Sequence, residues 1–315
     1  MRAVTIREER LYIEEHEDPV PGAGEVLVKV RAAGLNGADM LQRRGRYPAP
    51  PGAPQDIPGL ELAGEVAAVG PDASRFAEGD RVMAVVAGGG QAELAVVHER
   101  AAMPVPDALG WPQAGGFPEV FTTAHDALFT QAGLGSGERL LVHGAAGGVG
   151  TAAVQLARAA GARVTATVRD EGLRGAVEEL GATAVLDPAG FEEHGPFDVV
   201  LELVGAPNLA GNLKALETGG RIVVIGIGAG AKTELNLAML LGKRATLRGS
   251  TLRARPLEQK ADAARRVERH VLPLVESGAV SVPVAAEFSL DEAEAAYARF
   301  GAGSKLGKVV LGMDG

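Results

Sequence analysis

Residues 140–150 read Leu140-Leu141-Val142-His143-Gly144-Ala145-Ala146-Gly147-Gly148-Val149-Gly150. An apolar run ends in a glycine cluster. The cluster opens into a segment, residues 151–160, with apolar residues at helical spacing (Val154, Leu156, Ala157, Ala160). Gly161 stops this helix, and a β-rich run from Arg163 to Val168 follows. Strand, glycine turn, helix, strand is the order that a dinucleotide-binding βαβ unit requires. Gly144, Gly147 and Gly150 stand at intervals of three, a variant of the commoner fingerprint. A side chain in such a turn would hold a pyrophosphate away from the backbone N–H groups at the helix N-terminus, so the chemistry asks for glycine. Gly144, Ala146, Gly147, Gly148, Val149 and Gly150 are therefore expected to bind the cofactor.

Downstream, Ala184–Leu186, Asp198–Leu203 and Arg221–Ile225 are apolar runs without alternation, as suits parallel strands covered on both faces, and Arg244–Arg248 is a candidate sixth strand. Upstream the pattern differs. Val26, Val28 and Val30 fall on one face of a period-two strand, and glycines and prolines punctuate further short strands at residues 65–69 and 80–86. This part reads as a small antiparallel barrel or sandwich. Beyond residue 255 a helix from Leu257 to Ser277 is interrupted at Pro273. Ser289 and Glu292 form a capping box for a helix ending near Gly301, and residues 308–311 are a terminal strand. The expected fold is α/β. A discontinuous β-rich domain (1–118 and 256–315) is split around a doubly wound parallel-sheet domain (119–255).

A chain of 315 residues with 46% apolar content is long enough for about two domains with sizeable cores. It lacks an apolar stretch of about 18 residues, and its first residues lack a signal peptide's apolar block, so a cytoplasmic protein is expected. Cysteine is absent, which excludes disulfides, thiolate nucleophiles and Cys-containing metal sites. The net charge of −9, without a basic cluster, argues against nucleic acid as the main partner. The six histidines are scattered, and no metal site is expected from them.

Several segments together resemble the medium-chain dehydrogenase/reductase superfamily, and within it the zinc-independent quinone oxidoreductase branch. They are Ala33-Gly34-Leu35-Asn36-Gly37-Ala38-Asp39, Pro58-Gly59-Leu60-Glu61-Leu62-Ala63-Gly64, Gly88-Gly89-Gly90-Gln91-Ala92-Glu93, Thr123-Ala124, the glycine turn, and Gly307-Lys308-Val309-Val310-Leu311. They occur in family order along nearly the whole chain. The resemblance implies a GroES-like catalytic domain around a Rossmann domain, and NADPH-dependent reduction of quinones. Zinc-dependent members carry Gly-His-Glu where this chain has Gly59-Leu60-Glu61, and leucine cannot bind zinc.

The end of the second parallel strand sets the cofactor choice. NAD binders place a carboxylate there for the ribose hydroxyls. Here Thr167-Val168-Arg169-Asp170-Glu171 puts Val168 at that position and a guanidinium just after it, which suits a 2′-phosphate. Arg174 is a second candidate; the alternative for both is a solvated surface charge. The family's phosphate-contacting lysine and tyrosine are missing near Leu173 and Asp187. NADPH is the expected cofactor, with NADH left open.

The resemblance implies that Asn36 faces the nicotinamide end of the site, that Asp39 helps hold that region and that Tyr47 lines the substrate site. Asn and Asp also favour turns, and both lie just after a strand, in what reads as a loop. A carboxamide can donate and accept hydrogen bonds, and a phenol can donate to a carbonyl oxygen or stack on a quinone. Thr123, Gly226, Leu252 and Arg253 match positions along the cofactor's nicotinamide half, with Arg253 open to a cofactor or substrate contact. Lys308 is read as support for the terminal strand. Asn36, Asp39 and Tyr47 are thus the catalytic candidates. The alternatives to a quinone reductase are an NADPH-dependent enone or alkenal reductase, and an NADPH-binding protein without turnover. A homodimer through the sheet edge at Arg244–Thr251 is expected, because an uncovered edge strand there would invite aggregation.

Overall fold

The computed structural model describes residues 1–313. The chain opens with a hairpin, β1 (Arg2–Arg7) and β2 (Arg10–Glu15), followed by the long β3 (Glu25–Gly34) and a short helix α1 (Gly37–Arg43). Four strands follow: β4 (Glu61–Val69), β5 (Arg81–Val85), β6 (Leu94–His98) and β7 (Ala102–Pro104). Helices α2 (Trp111–Gly115) and α3 (Pro118–His125) lead into β8 (Arg139–Val142), α4 (Gly148–Ala159), β9 (Arg163–Thr167), α5 (Arg174–Glu179) and β10 (Ala184–Leu186). Next come β11 (Phe197–Glu202), α6 (Leu209–Ala215), β12 (Leu216–Val224), α7 (Leu237–Lys243) and β13 (Thr246–Gly249). The chain closes with α8 (Leu257–His270), α9 (Leu272–Glu276), β14 (Val284–Ser289), α10 (Ala293–Gly301) and β15 (Lys308–Gly312).

Internal contacts divide the chain into two units. The first comprises Met1–Thr122, Leu252–Gly303 and the chain from Lys308 onward; the second comprises Thr123–Thr251 and Ser304–Gly307. In the first unit a seven-stranded sheet runs β14-β15-β3-β4-β5-β7, with β6 also paired to β3. All its pairings are antiparallel except β14 with β15. The alternation in β3 has its expected consequence: Val26, Val28 and Val30 are buried in one apolar cluster with Val4, Leu62, Val82, Val97, Tyr297 and Leu311.

In the second unit six parallel strands run β10-β9-β8-β11-β12-β13. Numbered within the unit this is the 3-2-1-4-5-6 order of a doubly wound dinucleotide-binding sheet, with its switch point between β8 and β11. Leu140, Leu141, Val142, Val199, Val200 and Leu201 are wholly buried. Strands covered on both faces need no alternation.

The sequence reading needs correction in two places. The segment after β3 is not a loop: Asn36 is the N-cap of α1 and Asp39 sits in its first turn, where the Asp39 Oδ2 accepts the Asn36 N–H at 2.8 Å. The helix is short, and Asn-x-x-Asp is a fainter signature than Ser-x-x-Glu. The break expected at Pro273 falls two residues earlier, at Val271, and Pro273 is the second residue of α9, in the first turn, where a missing N–H does no harm. Among the described residues, no helix is long and apolar enough to cross a membrane.

Candidate active site

In the first unit, the ends of three strands meet around one buried ion pair. Glu61 opens β4, Lys308 opens β15, and Leu35 and Asn36 follow β3. Lys308 Nζ lies 2.6 Å from Glu61 Oε1, with the two side chains 3% and 0% exposed. The same ammonium donates to Leu35 O at 2.6 Å and to Asn36 Oδ1 at 2.8 Å. Asn36 Nδ2 donates to Glu61 Oε1 at 2.8 Å and to Gly34 O at 3.2 Å. Glu61 Oε2 accepts the Glu119 N–H at 2.8 Å. Gly34 is required here, since a Cβ would come 2.5 Å from Glu61 Oε1. Three ammonium hydrogens and three acceptors match, which is the condition under which two buried charges are tolerated.

Asp39 is wholly buried beside this network. Its Oδ1 accepts the Gly59 N–H at 3.2 Å, and Gly59 itself (φ +107°) would collide with the Gln91 backbone if it bore a Cβ. Burial outweighs these hydrogen bonds and the nearby Lys308 charge, and pushes the carboxyl up to about 6. The folded chain then holds this proton at a pH where the unfolded chain has released it. Its contribution to stability therefore falls as pH rises from about 4 to 6 and levels off above. A carbon-13 titration of the carboxyl should show a midpoint near pH 6; a midpoint near 4 would contradict the burial argument.

Tyr47 stands half-buried in the proline-rich loop after α1, and Arg253 holds that loop. Arg253 donates from Nη1 to Tyr47 O at 2.9 Å, from Nη2 to Gln42 Oε1 at 2.5 Å and from Nε to Ala87 O at 2.7 Å. Its guanidinium also lies 5.1 Å from the Tyr47 ring centre. Burial raises the phenol's pKa despite Arg253, so Tyr47 is a protonated donor at neutral pH. Leu252, next in chain, is buried in the same unit.

In the second unit, β8 leads through Gly144 (φ +62°) into the turn. Gly147 is the N-cap of α4, and no side chain caps this helix. The first intrahelical bond is Thr151 N–H to Gly147 O at 2.8 Å, which leaves the amides of the first turn without partners inside the helix. Gly150 lies against the backbone: a Cβ would sit 2.6 Å from both Gly144 O and Ala145 Cα. Ala146 O accepts the Gly307 N–H at 2.8 Å, so the Ser304–Gly307 segment borders the turn. An uncapped twelve-residue helix behind a turn of bare backbone fits a pyrophosphate. Arg169 follows β9, exposed and without an ion-pair partner among the described residues. Arg174 is engaged by Asp187 at 2.7 Å and by Val168 O at 3.2 Å. Thr123 is buried at the start of this unit. Gly226, just past β12, lies so close to Leu203 O that a Cβ would be 2.0 Å away.

The turn rests on a buried polar chain that sequence reasoning did not assign. His143 sits between Thr167 Oγ1 (2.9 Å) and Asn212 Oδ1 (2.7 Å), and Asn212 Nδ2 donates to Glu202 Oε2 at 2.7 Å. Glu202 Oε1 accepts the N–H groups of Val204 and Gly205 at 2.6 and 2.8 Å. Burial holds the His143 pKa below its ordinary value. An amide oxygen only accepts, so His143 is the Nε2–H tautomer and receives the Thr167 hydroxyl at Nδ1. The available signal was a carboxylate closing the apolar run Val199–Leu201. Glu61 and Gln42 were also unassigned; Glu61 stood in a quoted motif but its partner lies 247 positions on, by the numbering of the two residues.

A GroES-like unit joined to a Rossmann unit with this turn defines an oxidoreductase of the medium-chain dehydrogenase/reductase superfamily. Residues 22–130 match the alcohol dehydrogenase GroES-like domain family, and residues 148–269 the zinc-binding dehydrogenase family. The chain is 33% identical over 307 residues to the quinone oxidoreductase of Mus musculus, covering 93% of this chain and 90% of that protein. The human quinone oxidoreductase is 31% identical over 305 residues with the same coverage. Among solved structures, the Pseudomonas syringae pv. tomato quinone oxidoreductase superposes with a TM-score of 0.87 at 27% identity, over 99% of both chains. Mycobacterial Rv1454c, in complex with NADPH, superposes with a TM-score of 0.89 at 28% identity, over 99% of this chain and 100% of that one. The chain belongs to the quinone oxidoreductase branch of the superfamily.

Proposed function

We propose that the protein is an NADPH-dependent quinone oxidoreductase that works without zinc. The likeness to quinone oxidoreductases along the whole chain carries this reading. When bound, the reduced nicotinamide supplies the hydride. The chain's own residues bind, orient and donate hydrogen bonds. The amides of Gly148, Val149 and Gly150 receive the pyrophosphate, with Gly144, Ala146 and Gly147 giving it room. Thr123, Gly226 and Leu252 are assigned to the cofactor's nicotinamide half. Tyr47, protonated and held by Arg253, donates a hydrogen bond to the acceptor's carbonyl oxygen. Asn36 and Asp39 fix the floor of that region, Asn36 through Lys308 and Glu61, Asp39 through the Gly59 amide. A quinol oxygen is weakly basic and its charge delocalised, so neither a Lewis acid nor a strong general acid is needed.

Zinc independence is supported by donor chemistry. Leu60 stands where zinc enzymes have histidine, Glu61 is engaged by Lys308, and the chain has no cysteine. Steady-state oxidation of NADPH with 1,2-naphthoquinone is the test. Turnover that survives chelators, and exceeds that with a small enone, is expected. Preference for the enone would make the protein a double-bond reductase, and tight NADPH binding with no turnover would make it a binding protein.

NADPH preference is assigned to Arg169, whose guanidinium is free to meet a 2′-phosphate; Arg174 supports the strand end through Val168 O and Asp187. Arg169→Ala should weaken NADPH binding about tenfold or more, the range for a charge-assisted hydrogen bond, and leave NADH binding nearly unchanged. Titration calorimetry with both cofactors checks this; equal losses would remove the 2′-phosphate role. We further propose a homodimer through β13, whose residues Thr246–Gly249 are all exposed at the sheet edge, with Leu237 and Leu241 exposed on α7 nearby in sequence. Light scattering reads the mass directly.

A further inference from the structure

Within the first unit, α8 presents Lys260, Ala263 and Ala264 on one side, spaced three and four apart. With Val85, Met103, Thr122 and Leu252 they line a small cavity whose volume suits one water-sized body. The room exists because the helix contributes two alanines there. Its lining is apolar apart from two residues. Thr122 is 3% exposed, and its Oγ1 has no hydrogen-bond partner among the described residues. The Lys260 side chain has neither an ion pair nor a hydrogen bond among the described residues, its backbone N–H alone donating to Pro256 O. Glu258, two residues back on the same helix and so on a different face, pairs instead with Arg100 at 2.5 Å. The charged neighbour that bears on Lys260 is Arg253, of the same sign. Arg253 in turn donates to Tyr47 O, Ala87 O and Gln42 Oε1, and the carboxylates of Asp39 and Glu119 oppose its charge without a direct hydrogen bond.

Lys260 and a buried hydroxyl without a partner thus share the lining of an otherwise apolar cavity, and among the described residues no carboxylate pairs with Lys260. We propose that this cavity is a binding site for one small monovalent anion of the halide class, held by the Lys260 ammonium and the Thr122 hydroxyl. Water would satisfy the hydroxyl but leave the Lys260 charge uncompensated. Phosphate and sulfate are larger than the one water-sized body the cavity suits. Burial and Arg253 both lower the Lys260 pKa, and a bound anion opposes both effects by favouring the charged ammonium.

The test is thermal unfolding of the full chain in halide-free gluconate buffer, with sodium chloride or bromide replacing gluconate at constant ionic strength. A ligand that binds only the folded protein raises the midpoint with its concentration. A saturable rise of a few degrees is expected for the wild type with both halides. Lys260→Met should abolish the rise, and the isosteric Thr122→Val should shift its half-saturation to at least about tenfold higher halide. Superimposable chloride and gluconate curves would overturn the proposal. So would a rise of equal size in both variants, which would mark a general salt effect on the surface.

Discussion

Lys308→Met is expected to destabilise the GroES-like unit by about 3–5 kcal/mol, the range for removing one partner of a buried ion pair. Methionine matches the length of lysine's stem, so packing changes little. What changes is the charge on Glu61, which is wholly buried and would keep one backbone amide and Asn36 Nδ2 as its remaining donors. Leu35 O and Asn36 Oδ1 lose their donor as well. Removing both charges together, in Glu61→Gln with Lys308→Met, should restore more than half of the loss, since neutral partners carry no Born penalty. Urea unfolding followed by fluorescence of Trp111, in the same unit, reads both variants. A loss under about 1 kcal/mol for the single variant would mean that water reaches Glu61, and the network would then be a surface pair with little effect.

Gly150→Ala should be the most damaging single methyl in the Rossmann unit's turn. Helix propensity alone favours alanine by about 1 kcal/mol at an interior helical position. Here the new Cβ would sit 2.6 Å from two backbone atoms, Gly144 O and Ala145 Cα, which cannot step aside as a side chain would. The turn must open, at a cost of about 1–3 kcal/mol in stability. The amides offered to a pyrophosphate move with it, so affinity for NADPH should fall by more than about tenfold, equivalent to roughly 1.4 kcal/mol. Gly175→Ala is the control: α5 leaves open space around that position, and the same substitution should stabilise by about 0.4–1 kcal/mol. If Gly150→Ala binds the cofactor as the wild type does, the dinucleotide is not seated on this turn.

The parallel sheet could be read from local patterns because its central strands β8 and β11 carry apolar runs and short β-rich segments alternate with helices around them. The β8–turn–α4–β9 unit needed no distant residue to declare itself. The opening hairpin gave no such signal. Its turn places Glu8 and Glu9 at φ +50° and +64°, positions where asparagine and glycine are the usual residues. The candidate site divides along the same line. The cofactor turn is contiguous in sequence, and its glycines announce why they are there. The acceptor side is built from contacts of long sequence separation: Arg253 reaches Gln42 and Tyr47, and Lys308 reaches Asn36. No periodicity links such residues. Resemblance to the family brought Asn36, Asp39, Tyr47 and Arg253 into view, but the hydrogen bonds that hold Asn36 and Arg253 are visible only in three dimensions.

The position of β15 carries a consequence for how the protein is made. It lies between β14 and β3, inside the sheet, and Leu35 and Lys308 are 273 positions apart. On the ribosome, the Ala32–Gly34 end of β3, which β6 does not cover, therefore waits without its β15 partner while the Rossmann unit is translated. That unit, built from neighbouring segments, can fold first. The nascent GroES-like unit must be kept from pairing its open strand with another chain until synthesis has passed residue 312, and premature termination before that point would release a species with an exposed β edge.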